Sequence, residues 1–383
     1  MRDDLPMTED ILSSLQIVHV SNVELGTYYF AIDGWIPQEW FTDLRDIVEE
    51  VSDSRVAVVW EEETPVVTTQ PVLLRSRRFL RPFQQLVELF SLPGTAGFDP
   101  SFLTFVTLPL FAGFMLGDYG YGLVLVLAGL LLRRYYTTPM MELASALMLY
   151  GGLWAIVFGT VVFADFFGFQ VPIFGFHLLD RLQDVPTLLS LSVIIGLIHI
   201  NIGLVAGFIY GRRRVGLRVA FLRRLSWLIA EAGGILLVLS LFGFVLTLLW
   251  IPALAITSVG IALVTLGGGV VALVEIPRFV TAVLSYLRLG IIAIAKGSLG
   301  VAINSMILGQ LLPSGFGGWA VAGMLLVVSH GTIMFLALFI IGLHALRLHY
   351  VEFYSQFYDL AEMGQEVKFE PSVKLEVPEE AGD

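Results

Sequence analysis

Residues 186–210 read Pro-Thr-Leu-Leu-Ser-Leu-Ser-Val-Ile-Ile-Gly-Leu-Ile-His-Ile-Asn-Ile-Gly-Leu-Val-Ala-Gly-Phe-Ile-Tyr, and Gly211-Arg212-Arg213-Arg214 follows at once. No Asp, Glu, Lys or Arg interrupts the run. At about 1.5 Å per residue, a helix of this length crosses the roughly 30 Å hydrocarbon core of a bilayer. Working outward, seven further stretches of the same kind appear, so that 101–116, 119–134, 139–163, 186–210, 225–249, 252–273, 275–312 and 318–350 are expected to form eight transmembrane helices. The first two are short and share a Gly-rich turn. The last two exceed a perpendicular span by about ten residues, which predicts steep tilt or extension beyond the bilayer.

Composition agrees. The chain has 383 residues, 56% hydrophobic and 14% charged, with a mean hydropathy of +0.82, whereas soluble domains carry about 25% charged residues. An ordinary soluble protein is excluded. Cysteine is absent, which removes disulfides, thiolate metal sites and a cysteine nucleophile. The net charge of −11 says little about a partner, because most acids lie in the two polar ends. Lys296, Lys368 and Lys374 are the lysines, and nucleic-acid binding through a Lys/Arg patch has no support.

The fold class expected is thus a mostly α membrane protein, its eight helices preceded by a small cytoplasmic α/β unit. Residues 1–74 form that unit and a linker: strand at 27–33, helix at 38–52, closing strand at 55–60, then an acidic stretch over 61–71. Residues 75–98 form an interfacial lead-in helix, whose Arg75, Arg77, Arg78 and Arg81 suit either anionic headgroups or a solvated face. Residues 99–354 form the membrane domain and 355–383 a cytoplasmic tail. The start, Met1 to Pro6, has no apolar core of a signal peptide, which places the N-terminus in the cytoplasm. Basic residues agree, since Arg133, Arg134, Arg212, Arg213, Arg214, Arg218, Arg223 and Arg224 fall in inner loops and Arg181 alone in an outer one. An even number of spans returns the C-terminus to the cytoplasm.

Ionisable residues inside spans are costly and mark function. Arg288 lies deep in the seventh stretch and does not deprotonate to escape it. No acid stands three, four or seven residues away, so its counter-charge is expected from another span or another chain. Lys296, about 80° around the same helix, is expected to snorkel, face water or share that acid. Arg347 ends the eighth stretch, where an interfacial anchor also explains it. Glu275, Glu231, Asp165, His199 with Asn201, His330 and His344 complete the internal set with Asp118, which at a helix junction between glycines suits a helix cap. Cations on the last two helices, with few acids nearby, point to membrane-embedded carboxylates supplied by a partner.

Six segments carry a resemblance: Phe114-Met-Leu-Gly-Asp-Tyr-Gly-Tyr-Gly122, Leu284-Ser-Tyr-Leu-Arg-Leu289, Leu343-His-Ala-Leu-Arg-Leu-His-Tyr-Val-Glu352, Gly34-Trp-Ile-Pro37, Phe79-Leu-Arg-Pro-Phe83 and Phe369-Glu-Pro371. Taken in chain order, they resemble subunit a, called subunit I in archaea and bacteria, of V-type and A-type rotary ATPases. The resemblance implies a stator that forms two ion half-channels against a rotating proteolipid c-ring with a mid-span carboxylate. It implies Arg288 and Arg347 as the ring-facing arginines, and Glu275, Glu231, Lys296, His344, His330, Ser329 and Asp118 as candidates for lining the half-channels. Ala337 departs from relatives with glutamate ten residues before the second arginine, which leaves His330 and Ser329 as substitutes near the outer end. No metal or cofactor is implied. The partners implied are the ring, membrane lipids, peripheral stalk subunits and an N-terminal coiled-coil half, separate or missing, because no heptad run precedes residue 101. The location implied is a prokaryotic cell membrane, with the vacuolar membrane as alternative, and the ion is H⁺ or Na⁺. No Gly-x-x-x-x-Gly-Lys-Ser/Thr loop occurs, so ATP chemistry falls to other subunits. A secondary transporter, the alternative reading, calls for broken helices in two related halves, and none is evident in the sequence.

Overall fold

The computed structural model describes residues 18–25, 30–51, 56–59, 77, 79–90, 99–136, 138–311 and 315–356. The chain divides into two compact units, one of residues 1–75, 91–97 and 362–383, the other of 76–90 and 98–361.

In the first unit β1 (His19–Leu25) pairs antiparallel with β2 (Phe30–Trp35), His19 opposite Trp35 and Leu25 opposite Phe30. Pro37, with φ −58°, leads through a 3₁₀ turn into α1 (Phe41–Val51), which buries Leu44 and Val48 one turn apart. The expected closing strand is corrected here, since Val56–Val59 form none. The partner of β2 is β1, upstream, because a hairpin with a four-residue connection closes with less entropy loss than a return across a helix. The 61–71 linker lies outside the described residues.

The second unit is helical. α2 (Arg81–Phe90) begins after the non-helical Arg77, Phe79 and Leu80 and buries Pro82, Phe83, Leu86 and Val87, with Phe83 edge-on to Phe105 at 5.3 Å. Arg77 and Arg81 are exposed, and Arg75 and Arg78 lie outside the described residues. α3 (Ser101–Leu116) and α4 (Tyr119–Tyr135) make a tight hairpin. α5 is Pro139–Val162, α6 Val185–Arg214, α7 Leu217–Leu241 and α8 Thr247–Gly268. α9 (Ala272–Ser285), α10 (Leu287–Leu311) and α11 (Gly315–Arg347) follow, and a π-helical turn (Leu348–Phe353) extends α11. Between α5 and α6 lies a two-residue-per-strand hairpin, β3 (Asp165–Phe166) and β4 (Phe169–Gln170).

Six helices among the described residues have the length and composition to cross a membrane: α5, α6, α7, α8, the joined α9–α10 of 40 residues, and α11 with its extension, 42 residues. α3 and α4, of 16 and 17 residues, reach only about 24–26 Å. Close backbone approach holds the first helices together. A Cβ on Gly122 of α4 lies 2.8 Å from the carbonyl oxygen of Gly152 on α5, so only glycine fits there.

Two expected spans differ in detail. The fifth ends at Leu241 rather than 249, because Gly243 takes φ +75° and Ser240 Oγ donates to the carbonyls of Leu246 and Thr247, which turns the chain back. The seventh, Ala272–Leu311 as a whole, is interrupted rather than continuous. It breaks at Tyr286, a fully buried side chain whose hydroxyl lies 2.7 Å from His199 Nδ1 of α6.

Candidate functional site

The Tyr286 break places Arg288 in the first turn of α10, and Arg347 is the last α-helical residue of α11. The two guanidinium groups interact electrostatically with each other and with the buried Glu352, and His344 feels both arginines. Arg288 Nη1 and Glu352 Oε2 are both buried and without a hydrogen-bond partner. Ser285, at the end of α9, donates its hydroxyl to the carbonyl of Thr281. Beside this group opens a cavity of about 640 Å³ lined by Arg347, Glu352, Ser285, Glu275, Arg278, Arg223 and Arg224, among others. Two acids and four bases give a polar basin with Arg347, one of the two arginines, in its wall.

Towards the opposite end of α10 stands a second, closed cluster. Asp118 caps α4 by accepting from the N–H groups of Gly120 and Tyr121, and its carboxylate also accepts from Phe167 and Gly168 N–H. Lys296 Nζ lies 2.7 Å from Asp118 Oδ2, in an ion pair with both side chains buried. Arg181, also buried, sets Nε 3.2 Å from Asp165 Oδ2 and donates to the carbonyls of Leu116, Gly117 and Ala293. Burial pushes the Asp165 carboxyl up, against the pull of Arg181 and Lys296. Two acids and two bases therefore neutralise one another and tie the α3–α4 turn and the β3–β4 loop to α10. Next to them Tyr121 Oη meets His330 Nδ1 at 2.6 Å, and His330 Nε2 meets Asn304 Oδ1 at 2.8 Å.

With this geometry in place, the comparisons with known proteins are informative. The profile of the V-type ATPase 116kDa subunit family matches residues 10–177. The A-type ATP synthase subunit I of Thermococcus kodakarensis is 30% identical over 372 residues, covering 89% of this chain and 54% of that protein. That of Methanothermobacter thermautotrophicus is 28% identical over 354 residues, 88% of this chain and 50% of that protein. The human V-type proton ATPase 116 kDa subunit a 2 is 28% identical over 153 residues, 37% of this chain and 18% of that protein. The chain belongs to the subunit a/I family of A/V-type ATPases. It spans about half the length of the subunit I relatives it matches.

Within this subunit a/I chain the other residues singled out in the sequence fall as follows. Glu275 is exposed in the first turn of α9, on the cavity wall. Glu231 Oε1 accepts from Asn201 Nδ2 at 3.0 Å. His344 and Ser329 are half-buried on α11. Lys296 neither snorkels nor faces water, a correction to the expectation for it: its charge is held by Asp118. Among the described residues no ion pair joins Arg288 to an acid; the acid that acts on it electrostatically is Glu352, on another span of this chain.

Glu352, Arg181, Tyr121 and Asn304 are not among the candidates from sequence, whereas Asp165 is. Glu352 follows Arg347 by five residues, which puts it about 140° around an α-helix. The π-helical turn, whose hydrogen bonds span five residues, brings it back to the arginine side. An acid five residues from an arginine was the available signal, but it is readable only with the π turn known. Arg181 and Asp165 lie in loops, and sixteen residues of sequence separate them.

Proposed function

We propose that this chain is the ion-translocating stator of the membrane sector of an A/V-type ATPase or ATP synthase. In this reading it crosses the membrane eight times, α3 and α4 included, with both termini in the cytoplasm. What carries the reading is the convergence of Arg288 and Arg347, from two helices, on the buried Glu352, with Arg347 and Glu352 in the wall of a polar cavity and one Arg288 guanidinium nitrogen left unpartnered. Phe335, Phe339 and Leu343 are exposed at four-residue intervals on α11 ahead of Arg347, and Leu284 and Ile291 flank Arg288. An apolar stripe that ends in a cation fits a rotating ring of helices, each bearing a carboxylate at mid-span.

The work of each residue follows from its chemistry. Arg288 keeps its charge at any attainable pH and pulls the proton or sodium ion off a ring carboxylate by favouring its ionised form. Arg347 adds a second positive charge, which blocks a direct ion leak between the half-channels. Glu352 supplies the counter-charge while no ring carboxylate is present. The cavity with Glu275 serves as the cytoplasmic half-channel, and the Tyr121–His330–Asn304 chain, with Ser329 beside it, takes the outer one. Lys296 and Asp118 act there as a charge-neutral seal, and the protein itself does not hydrolyse nucleotide. The ring, stalk subunits and the portion that makes up the other half of the relatives' length complete the machine.

Glu275→Gln and Glu231→Gln are each expected to slow ATP-driven pumping in reconstituted vesicles without stopping it, because hydrated half-channels share the load among several polar groups. Both variants running at the wild-type rate across pH removes these residues from the path. Repeating the assay in sodium-depleted buffer identifies the ion: unchanged acidification of the lumen assigns H⁺, and rates restored only by added sodium assign Na⁺.

A further inference from the structure

Glu231 of α7 and Asn201 of α6 meet, with Asn201 Nδ2 donating to Glu231 Oε1 at 3.0 Å. The two remaining oxygens of this pair, Glu231 Oε2 and Asn201 Oδ1, are both buried and neither has a hydrogen-bond partner. Buried acceptors without donors are uncommon, and a carboxylate in an apolar helix pair is costly unless a cation compensates it. Among the described residues no ion pair reaches Glu231. One donor shared between two orphaned acceptors resolves both.

We propose that Glu231 and Asn201 form a proton-binding site, in which Glu231 Oε2 carries a proton and donates it to Asn201 Oδ1, closing a ring of two hydrogen bonds between acid and amide. Loading forms one O–H bond with a proton taken from water, and release returns that proton to water, so no co-reactant enters. A metal ion is the poorer occupant. The pair offers three oxygens, one already accepting a hydrogen bond, against the six or more that a hard cation gathers. Among the described residues no cluster of three or more His, Asp or Glu is placed to hold a metal. A residue on the ion path needs a loaded and an empty state, and Asn201 stabilises the loaded one by offering an amide of matching shape. The inference rests on the proposed function only for its place along that path.

The test is infrared difference spectroscopy of the native complex at neutral pH, wild type minus Glu231→Gln. The expected result is a protonated-carboxyl C=O band that shifts in D₂O and is absent from the variant. Carboxylate stretches in its place overturn the proposal. Loss of the band on adding sodium chloride at constant pH assigns the site to the cation and overturns it as well. Asn201→Leu, a check independent of how the glutamine variant folds, is expected to keep the band and shift it upward, because the acid loses its acceptor; an unmoved band contradicts the acid–amide ring. A complex that shows the band but does not pump through this chain refutes the stator reading and leaves the proton site intact, whereas a pumping complex without the band refutes the proton site alone.

Discussion

Arg288→Ala is expected to abolish ion transport coupled to ATP in a fully assembled complex, with a fall of about 100-fold or more, the scale for removing one preorganised stabilising charge. The alanine side chain neither attracts nor releases a ring carboxylate, and it leaves Glu352 facing Arg347 alone. Arg288→Lys is expected to rescue poorly. An ammonium is a compact, strongly hydrated point charge, whereas the guanidinium presents a planar fork and keeps its charge in a low dielectric. The measurement is ATP-driven pumping in vesicles alongside a gel of the complex, so that loss of transport is read only where assembly is normal. Pumping at the wild-type rate in an assembled Arg288→Ala complex removes the arginine from the mechanism.

The second large effect is on stability. Asp118→Ala removes one partner of a buried ion pair and orphans four backbone N–H groups, leaving Lys296 charged and buried. Breaking such a pair costs about 3–5 kcal/mol. The expected outcome is a marked loss of folded protein in the membrane and a lower melting temperature of the complex. Asp118→Asn combined with Lys296→Met is expected to recover most of that loss, because asparagine still caps α4 and the methionine fills the space without a charge. This cycle separates a structural seal from an ion path: restored pumping in the double variant supports the seal, and a stable double variant that does not pump places Asp118 or Lys296 among the transport residues.

Much of the membrane domain was legible in the sequence, because long apolar runs ending in arginines leave few readings open. Residues 186–210 became α6 with little change. The end at Leu241 goes with a serine side chain that captures the carbonyls of the following loop, and the interruption at Tyr286 with a tyrosine hydroxyl held by a histidine three helices earlier in the chain. Neither leaves a mark in hydropathy. The upstream strand β1 was missed because the β-forming run at 27–33 drew attention to its downstream neighbour.

The candidate site was legible in its cations and not in their partners. Arg288, Lys296 and Arg347 stand out as charges in apolar helices, which a single sequence displays directly. Which acid answers which base depends on how helices are arranged. Lys296 answers to Asp118, some 180 residues away in sequence, and Glu352 comes near Arg288 from a π-helical turn on a different helix. His330 was flagged as a lone polar residue, and the tyrosine and asparagine that make it part of a chain carried no signal, because uncharged polar side chains are ordinary in membrane helices.

The central claim is that the surface bearing Arg288 and Arg347 faces a ring carboxylate. The absence of cysteine from this chain makes one measurement direct. A single cysteine at Leu343, one turn before Arg347 on the exposed face of α11, is paired with a cysteine placed one turn from the ring's mid-span carboxylate, and the complex is oxidised in the membrane. A disulfide that joins this chain to a ring subunit and stops ATP-driven rotation, with both reversed by reductant, is the predicted result. No cross-link from Leu343, together with an efficient one from a cysteine on the exposed face of α8, contradicts the account.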